Sequence, residues 1–209
     1  MAAIVSAFTR DSILPDRPAK PKDQLLIIEP APLDGLKVIT PKMLMDSRGF
    51  FSEAYNRKAF LEAGIDLDFV QDNQLHSAAA GTIRGLHFQS PPFAQDKLVR
   101  VLRGRILDVA VDLRRSSPTF GQAFCSELSA ENFKQTFVPI GFAHGFCTLE
   151  PDTQVHYKVS NYYAHGHDCG LAWDDPALGI AWPVTADAAV LSDKDRCNPR
   201  LAGLNSPFP

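Results

Sequence analysis

Two histidines stand in glycine-rich, aromatic surroundings that suit acid–base chemistry. His87 lies in the stretch RGLHFQ, residues 84–89, and His144 lies in GFAHGF, residues 141–146. Imidazole is the side chain whose ordinary pKa lies nearest to neutral pH, so it exchanges protons readily under physiological conditions. A lone histidine between bulky apolar residues and glycines therefore indicates a base in a shielded pocket.

The segment between the two histidines is rich in predicted strands that would position them. Residues 105–114, RILDVAVDLR, alternate apolar side chains with Asp108 and Asp112, which is the pattern of a strand buried on one face. Arg103 and Gly104 separate this run from LVRVL, residues 98–102, and predict a tight hairpin between two paired strands.

The remainder of the chain predicts a single all-β domain over residues 24–209. Short β-favouring runs follow one another with turn residues at intervals of about 8–12 positions, which favours a sandwich or barrel. One short helix is predicted over residues 56–64, with Asn56 as its N-cap and Gly64 as its end. Residues 1–23 show no periodicity and contain three prolines, so we expect them to form a flexible arm.

Composition excludes several classes of protein. The net charge is -3, from 21 basic and 24 acidic residues, which disfavours nucleic acid and anionic membranes as partners. No apolar run approaches the roughly 18 residues that cross a bilayer, so the expected location is the cytoplasm. The four cysteines form no CxxC pair, and free thiols are expected in a reducing compartment.

Nine segments, taken together and in order, resemble the dTDP-4-dehydrorhamnose 3,5-epimerases, also called dTDP-4-keto-6-deoxyglucose 3,5-epimerases. The resemblance covers about residues 25–203 and is carried by DSRGFFSEAY, FVQDNQLHS, RGLHFQ, KLVRVLRGRILDVAVDLR, SPTFG, PIGFAHGF, YKVSNYY, WDDPALGIAWP and LSDKD. It implies a cupin-type jelly roll (double-stranded β-helix) with a few short helices, and a homodimer. It also implies that the enzyme needs no metal and no organic cofactor.

The resemblance implies epimerisation at C3 and C5 of dTDP-4-dehydro-6-deoxy-D-glucose, giving dTDP-4-dehydro-L-rhamnose for dTDP-L-rhamnose biosynthesis. Both carbons adjoin the C4 ketone, so each inversion needs a base, an opposing acid and a group that holds the enolate oxygen. By resemblance, His87 is the base, Tyr157 the acid and Lys97 the catalytic cation. Asp195 is the expected partner of His87, although Asp193 lies two residues away and is easily confused with it.

The resemblance also implies a set of substrate-binding residues. Arg84 suits a diphosphate because a guanidinium donates two parallel hydrogen bonds. Asp168 stands where the family usually has glutamate, so its shorter side chain departs from the pattern. Tyr163 would share a face with Tyr157 if residues 155–163 formed one unbroken strand. The full set is Arg48, Glu53, Gln71, Asn73, Arg84, His144, Tyr163, Asp168 and Lys194.

One pair of assignments demands a local irregularity. Arg84 and His87 are three residues apart, and a regular strand would send their side chains to opposite faces. Both reach one pocket only if strict alternation is broken. We therefore predict a bulge or kink at Gly85.

Three alternatives stay open at this stage. A metal-dependent cupin would carry an HxH pair after a glycine, whereas this chain has Gln89 two residues after His87, and His165–His167 predicts a loop. An enzyme that epimerises only C3 or only C5 of a dTDP-4-keto-6-deoxy sugar would share the same base and acid. A jelly roll that binds the nucleotide sugar without catalysis is the third.

Overall fold

The computed structural model describes residues 25–209, so the predicted arm at residues 1–23 lies outside the described residues. Thirteen strands and two short α-helices make up this part of the chain. The strands are β1 (Leu26–Pro30), β2 (Lys37–Pro41), β3 (Leu44–Asp46), β4 (Gly49–Phe51), β5 (Gln71–Ser77), β6 (Ile83–Gln89), β7 (Lys97–Arg103), β8 (Arg105–Asp112), β9 (Ala123–Ser129), β10 (Gln135–Val138), β11 (Phe142–Thr148), β12 (Thr153–Val159) and β13 (Asp168–Gly170). The helices are α1 (Arg57–Glu62) and α2 (Asp193–Arg196), and 3₁₀ turns lie at His165–His167, Pro176–Leu178 and Leu201–Gly203.

Two antiparallel sheets form the body of the molecule. A six-stranded sheet has the order β1-β2-β10-β7-β12-β5, and a five-stranded sheet has the order β13-β6-β11-β8-β9. Strands β3 and β4 pair only with each other, as a separate hairpin. From β5 to β13 the chain crosses from one sheet to the other at every connection except the one from β8 to β9, so it winds as a jelly roll. The predicted all-β, cupin-type fold is confirmed.

The helix predicted over residues 56–64 is confirmed as α1. The Asn56 side chain accepts hydrogen bonds from the backbone N–H groups of Lys58 and Ala59, which satisfies two donors at the helix start. Gly64 follows in a left-handed conformation, with φ of +77°. Neither helix in residues 25–209 approaches the length that a bilayer-spanning helix requires.

The predicted hairpin at Arg103 and Gly104 is wrong. Strand β7 belongs to the six-stranded sheet and β8 to the five-stranded sheet, so the pair turns a corner between sheets. Gly104 takes φ of +76°, and a Cβ there would lie 2.4 Å from Oγ1 of Thr153. The local turn signal was present, but sequence spacing alone does not say whether a turn joins paired strands or leads into the facing sheet.

Strand β8 is buried on both faces, which corrects the expectation of a half-buried strand. Its outer side chains, Val109 and Val111, pack against Leu171 and other residues of the C-terminal segment. Its inner side chains include Asp108 and Asp112, which are buried as well. Carboxylates at alternating positions predict a solvent-exposed face only where nothing covers that face of the sheet.

Asp112 is a fully buried carboxylate held by five hydrogen-bond donors, one of which is the backbone N–H of Arg114. Arg114 donates from Nε and Nη2, and the hydroxyls of Ser117 and Thr119 both donate to Oδ2 at 2.7 Å. Burial alone would raise the pKa of Asp112, but these bonds outweigh burial and hold it at about 2. The cluster fixes the turn after β8 to the sheet.

Replacing Asp112 with asparagine is expected to lower the free energy of unfolding by about 2–4 kcal/mol, because one charge of a hydrogen-bonded pair is removed. The folded pKa lies below the unfolded one, so the carboxylate's contribution is complete above about pH 4 and is lost as pH falls towards 2. Urea unfolding at pH 7 measures the difference, with exposed Asp66→Asn as the control. Equal unfolding midpoints for Asp112→Asn and the wild type would contradict this role.

Candidate active site

Strand β6 carries the predicted base and contains the predicted irregularity. The pairing of β6 with β11 shifts between His144↔His87 and Phe146↔Arg84, which leaves one extra residue in β6. Gly85 takes φ of +136°, and a Cβ there would lie 2.6 Å from the Cα of Gly145. The bulge expected at Gly85 is therefore confirmed, and a side chain at this position would collide with the backbone of β11.

Arg84 points across the bulge to the six-stranded sheet. Its Nε donates to Oγ of Ser77 at 3.1 Å and its Nη2 donates to the carbonyl of His76 at 3.1 Å, both at the end of β5. Its positive charge opposes, without cancelling, the rise in the pKa of Tyr157 that burial causes. The irregular backbone thus lets Arg84 and His87 serve the same region despite their odd spacing.

His87 forms an imidazole–carboxylate pair with Asp195. The distance from Nε2 to Oδ1 is 2.5 Å, and Asp195 is only 4% exposed whereas the His87 side chain is 31% exposed. Ser192 accepts a hydrogen bond from the backbone N–H of Asp195 and so caps α2. Burial alone raises the pKa of Asp195, but the bond and charge of His87 prevail and lower it.

The structure separates Asp195 from Asp193. Asp193 is exposed at the start of α2, while Asp195 turns inwards to His87. A carboxylate on one ring nitrogen fixes the tautomer and orientation of the imidazole, which leaves the other nitrogen to act on a ligand. The His87 imidazole is held by the carboxylate on one side and open on the other, which is the arrangement that a general base needs.

A second imidazole–carboxylate pair lies beside the first. His144 on β11 is the cross-strand neighbour of His87, and its Nε2 lies 2.7 Å from Oδ1 of Asp108. Both partners are buried. Sequence reasoning missed Asp108 because it treated β8 as exposed on one face. The available signal was an isolated carboxylate in the otherwise apolar run ILDVAV.

Lys97 is a buried cation next to His87. Its Nζ donates to the carbonyl of His87 at 3.2 Å, and the residue is only 8% exposed. Burial lowers the pKa of Lys97 to about 8, although the negative charges of Asp168 and Asp108 oppose the shift. An ammonium held in a poorly solvated site interacts strongly with any negative charge that develops nearby.

Tyr157 approaches from the facing sheet. It lies on β12 opposite Asn73 of β5 and packs against the inner apolar cluster that includes Phe146 and Val155. Burial raises its pKa, and the charge of Asp168 adds to the effect. The phenol is therefore neutral at pH 7 and can donate a proton or a hydrogen bond.

Tyr163 does not share a strand with Tyr157, because β12 ends at Val159. It lies instead in an irregular segment at the mouth of the site, where its hydroxyl donates to Oδ2 of Asp168 at 3.1 Å. Lys194 donates to the same oxygen at 2.5 Å. The conditional prediction of a shared strand face fails at this point, since the segment after Val159 leaves the sheet.

Two more predicted residues join this mouth network. Gln71 accepts a hydrogen bond from the backbone N–H of Tyr163 at 3.1 Å, and its Nε2 donates to Oδ1 of Asn73 at 2.9 Å. The structure therefore brings together eleven of the predicted residues, from both sheets and from α2. They are Gln71, Asn73, Arg84, His87, Lys97, His144, Tyr157, Tyr163, Asp168, Lys194 and Asp195.

Arg48 and Glu53 are not brought to this cluster within one chain. Arg48 sits in the exposed turn of the β3–β4 hairpin and pairs with Asp46 at 2.6 Å. Glu53 accepts a hydrogen bond from Asn56 and lines a cavity of about 430 Å³ with Arg100. Arg100 pairs with His156 across the strands, next to the pair Val99 and Tyr157, so this cavity opens on the other face of the sheet.

The two histidines of the HGH sequence form a 3₁₀ turn. Nδ1 of His167 lies 2.9 Å from Oγ of Ser90, and Nδ1 of His165 lies 3.4 Å from the hydroxyl of Tyr163. Within residues 25–209, no three His, Cys, Asp or Glu side chains are grouped so that they could hold a metal ion.

The fold and this cluster define a cupin-type jelly roll with a site for proton transfer. A family model described as dTDP-4-dehydrorhamnose 3,5-epimerase matches residues 30–203. The chain is 52% identical over 173 residues to the dTDP-4-dehydrorhamnose 3,5-epimerase of Sinorhizobium fredii, covering 83% of this chain and 88% of that protein. The chain belongs to the dTDP-4-dehydrorhamnose 3,5-epimerase family, whose members are isomerases that act on a nucleotide sugar. The predicted family and enzyme class are confirmed.

Solved structures agree with this assignment. The Bacillus anthracis dTDP-4-dehydrorhamnose 3,5-epimerase, with TDP and PPi bound, matches with a TM-score of 0.82 and 52% identity over 84% of this chain and 99% of that one. The Legionella pneumophila dTDP-6-deoxy-D-glucose-3,5-epimerase, in complex with dTDP-4-keto-L-rhamnose, matches with a TM-score of 0.82 and 42% identity over 86% and 95% of the two chains.

Proposed function

We propose that this chain inverts C3 and C5 of dTDP-4-dehydro-6-deoxy-D-glucose and releases dTDP-4-dehydro-L-rhamnose, a step towards dTDP-L-rhamnose. The observation that carries the proposal is that His87 on one sheet pairs with Asp195 of α2, with Tyr157 on the facing sheet and Lys97 beside His87. This arrangement supplies a base, an opposing acid and a cation for a carbonyl oxygen.

The proposed reaction uses the same groups at each carbon. His87 removes the proton next to the C4 ketone, and the electron pair moves onto the carbonyl oxygen as an enolate. Lys97 and His144 hold this oxygen while the negative charge is present. Tyr157 then donates its proton to the opposite face of the carbon, which inverts the configuration. Before the second inversion, His87 releases the proton that it took and Tyr157 regains one, both by exchange with solvent.

The residues at the mouth would hold the rest of the nucleotide sugar. Arg84 and Lys194 carry positive charge that suits the diphosphate, and Gln71 and Asn73 offer amides to the base or the sugar hydroxyls. Asp168 engages Lys194 and Tyr163, so its shorter side chain still joins the network.

The reaction is tested by incubating the purified chain with dTDP-4-dehydro-6-deoxy-D-glucose and identifying the products by proton NMR. Inversion at both carbons supports the proposal. Inversion at C3 alone or C5 alone would replace it with the mono-epimerase alternative. Binding of the nucleotide sugar without any conversion would leave only the non-catalytic alternative.

We also propose that the protein works in the cytoplasm as a homodimer. The cysteines in residues 25–209 are all free, in keeping with a reducing compartment. The β3–β4 hairpin exposes Met45 by 72%, Phe50 by 58% and Phe51 by 62%, which is unusual for a surface that stays in water. Docking of this hairpin on a second copy would bury the aromatic rings and carry Arg48 towards that copy's site.

Changing Phe50 and Phe51 to glutamate together is expected to convert a dimer into a monomer, because the charges oppose burial of the hairpin. Light scattering on a sizing column measures the mass directly. Phe120→Glu, at another exposed apolar position, is the control and should leave the dimer intact. A wild-type protein with the mass of one chain would contradict the proposal.

Lys97→Met is expected to reduce kcat by about 100-fold while increasing the free energy of unfolding by about 1–3 kcal/mol. Activity falls because the enolate loses its cation. Stability rises because burial lowers the pKa of Lys97 to about 8, and at pH 7 the folded protein bears the cost of a buried charge.

The lowered pKa of Lys97 also predicts how the stability of the wild type changes with pH. Between about pH 8 and the ordinary lysine pKa of about 10.4, the folded wild type loses the Lys97 proton before the unfolded chain does. The free energy of unfolding of the wild type therefore rises with pH across this range, while kcat falls because the cation is lost. Urea unfolding and initial rates across this range measure both trends. A Lys97→Met variant with unchanged kcat would contradict the role.

A further inference from the structure

Gln89 lies two residues after His87 on β6, and its side-chain amide is fully engaged. Its Nε2 donates to the carbonyl of Phe93 at 2.7 Å and to the carbonyl of Tyr162 at 3.1 Å. Its Oε1 accepts from the backbone N–H of Ala164 at 2.7 Å. Gln89 is buried, so these three bonds form away from competing water.

The last two of these bonds bracket Tyr163. Tyr162 precedes it and Ala164 follows it, and both are tied to the same amide. Strand β12 ends at Val159, so no sheet ladder satisfies the backbone around Tyr163. Side chains do this instead, because Gln71 also accepts the N–H of Tyr163 itself. The backbone on both sides of an exposed aromatic ring is therefore fixed by one buried residue.

We infer that Gln89 is a positioning residue that acts through Tyr163 in binding of the dTDP-sugar, an inference that rests on the proposed function. Residues two apart on a strand share a face, so Gln89 and His87 extend from the same side of β6. Gln89 thereby couples the strand of the base to the segment at the mouth. The hydroxyl of Tyr163 in turn donates to Oδ2 of Asp168, the same oxygen that accepts from Lys194. The placement of Tyr163 therefore affects the placement of both of these charged side chains.

The chemistry requires an amide at this position. Two carbonyl oxygens and one N–H face the side chain, so it must offer donors at one end and an acceptor at the other. Glutamate of the same length would set an acceptor-only carboxylate against two carbonyls. Methionine fills a similar volume and offers neither function.

The test is a double-mutant cycle on the full chain with Gln89→Met and Tyr163→Ala. Gln89→Met is expected to raise the KM for dTDP-4-dehydro-6-deoxy-D-glucose about tenfold with kcat within about twofold of wild type, because binding is lost and chemistry is not. In the Tyr163→Ala background the same change should alter KM by less than about twofold. Hydrogen exchange should show faster loss of the Ala164 N–H signal in Gln89→Met.

Gln154→Met is the matched control, since that amide lies on the exposed pair with Gln74. Gln89→Glu provides a second variant if Gln89→Met fails to fold, and it should raise KM in the same way. If the wild type is active and both Gln89 variants have the wild-type KM, the inference is overturned. A tenfold effect that persists without Tyr163 would also overturn it. A wild type that does not convert the sugar would instead count against the proposed function. Faster exchange of the Ala164 N–H in Gln89→Met would still show that Gln89 holds the backbone around Tyr163.

Discussion

Replacing His87 with alanine is expected to lower kcat by about 10³–10⁴-fold and to stop proton exchange at both carbons of the keto sugar. The reason is geometric as well as chemical. His87 is the imidazole that is both oriented by a buried carboxylate and left partly open, with 31% of its side chain exposed. The neighbouring His144 is buried and bonded to Asp108, so it is poorly placed to substitute as the base.

The measurement is the initial rate of product formation by NMR, with variants checked for folding by circular dichroism. His87→Gln guards against a folding defect, because its amide can still donate to Asp195. His76→Ala, at an exposed histidine on β5 of the other sheet, should retain full activity. A His87→Ala enzyme that keeps more than about a tenth of wild-type kcat would exclude His87 as the base.

The second large effect is expected for Tyr157→Phe, which should reduce formation of the inverted product by about 10²–10³-fold. Removing only the hydroxyl leaves the ring in the inner cluster, so the fold should be unaffected. His87 can still remove and return a proton on its own face. Exchange with solvent should therefore continue while inversion, above all at C5, is slowed.

This separation of exchange from inversion is what distinguishes an acid from a binding residue. Loss of a binding contact would slow both processes together and raise KM. Tyr162→Phe, at an exposed tyrosine near the mouth, is the control and should keep both rates. If Tyr157→Phe formed the inverted product at the wild-type rate, another group would have to supply the proton.

Local patterns predicted those parts of the fold that depend on nearby residues. Asn56 and Gly64 marked the ends of α1 because caps act within a single helical turn. The bulge at Gly85 was predicted because the resemblance assigns both Arg84 and His87 to one pocket, and regular alternation of the strand cannot place them there. The corner at Gly104 and the two-sided burial of β8 were missed, because both depend on which sheet a strand joins and what covers it.

The site divides in the same way. Resemblance placed eleven residues that converge in one chain, but it did not reveal Asp108, whose role depends on burial that the strand pattern did not show. Asp195 could not be separated from Asp193 until α2 showed which carboxylate turns inwards. Arg48 and Glu53 remain apart from the cluster in one chain.

Proton NMR of the wild-type chain with dTDP-4-dehydro-6-deoxy-D-glucose in heavy water is the most direct test of the whole account. We expect deuterium from solvent at both C3 and C5 of an inverted product, and no deuterium at either carbon with His87→Ala. Product formed without solvent deuterium, or exchange that proceeds unchanged without the His87 imidazole, would contradict the mechanism.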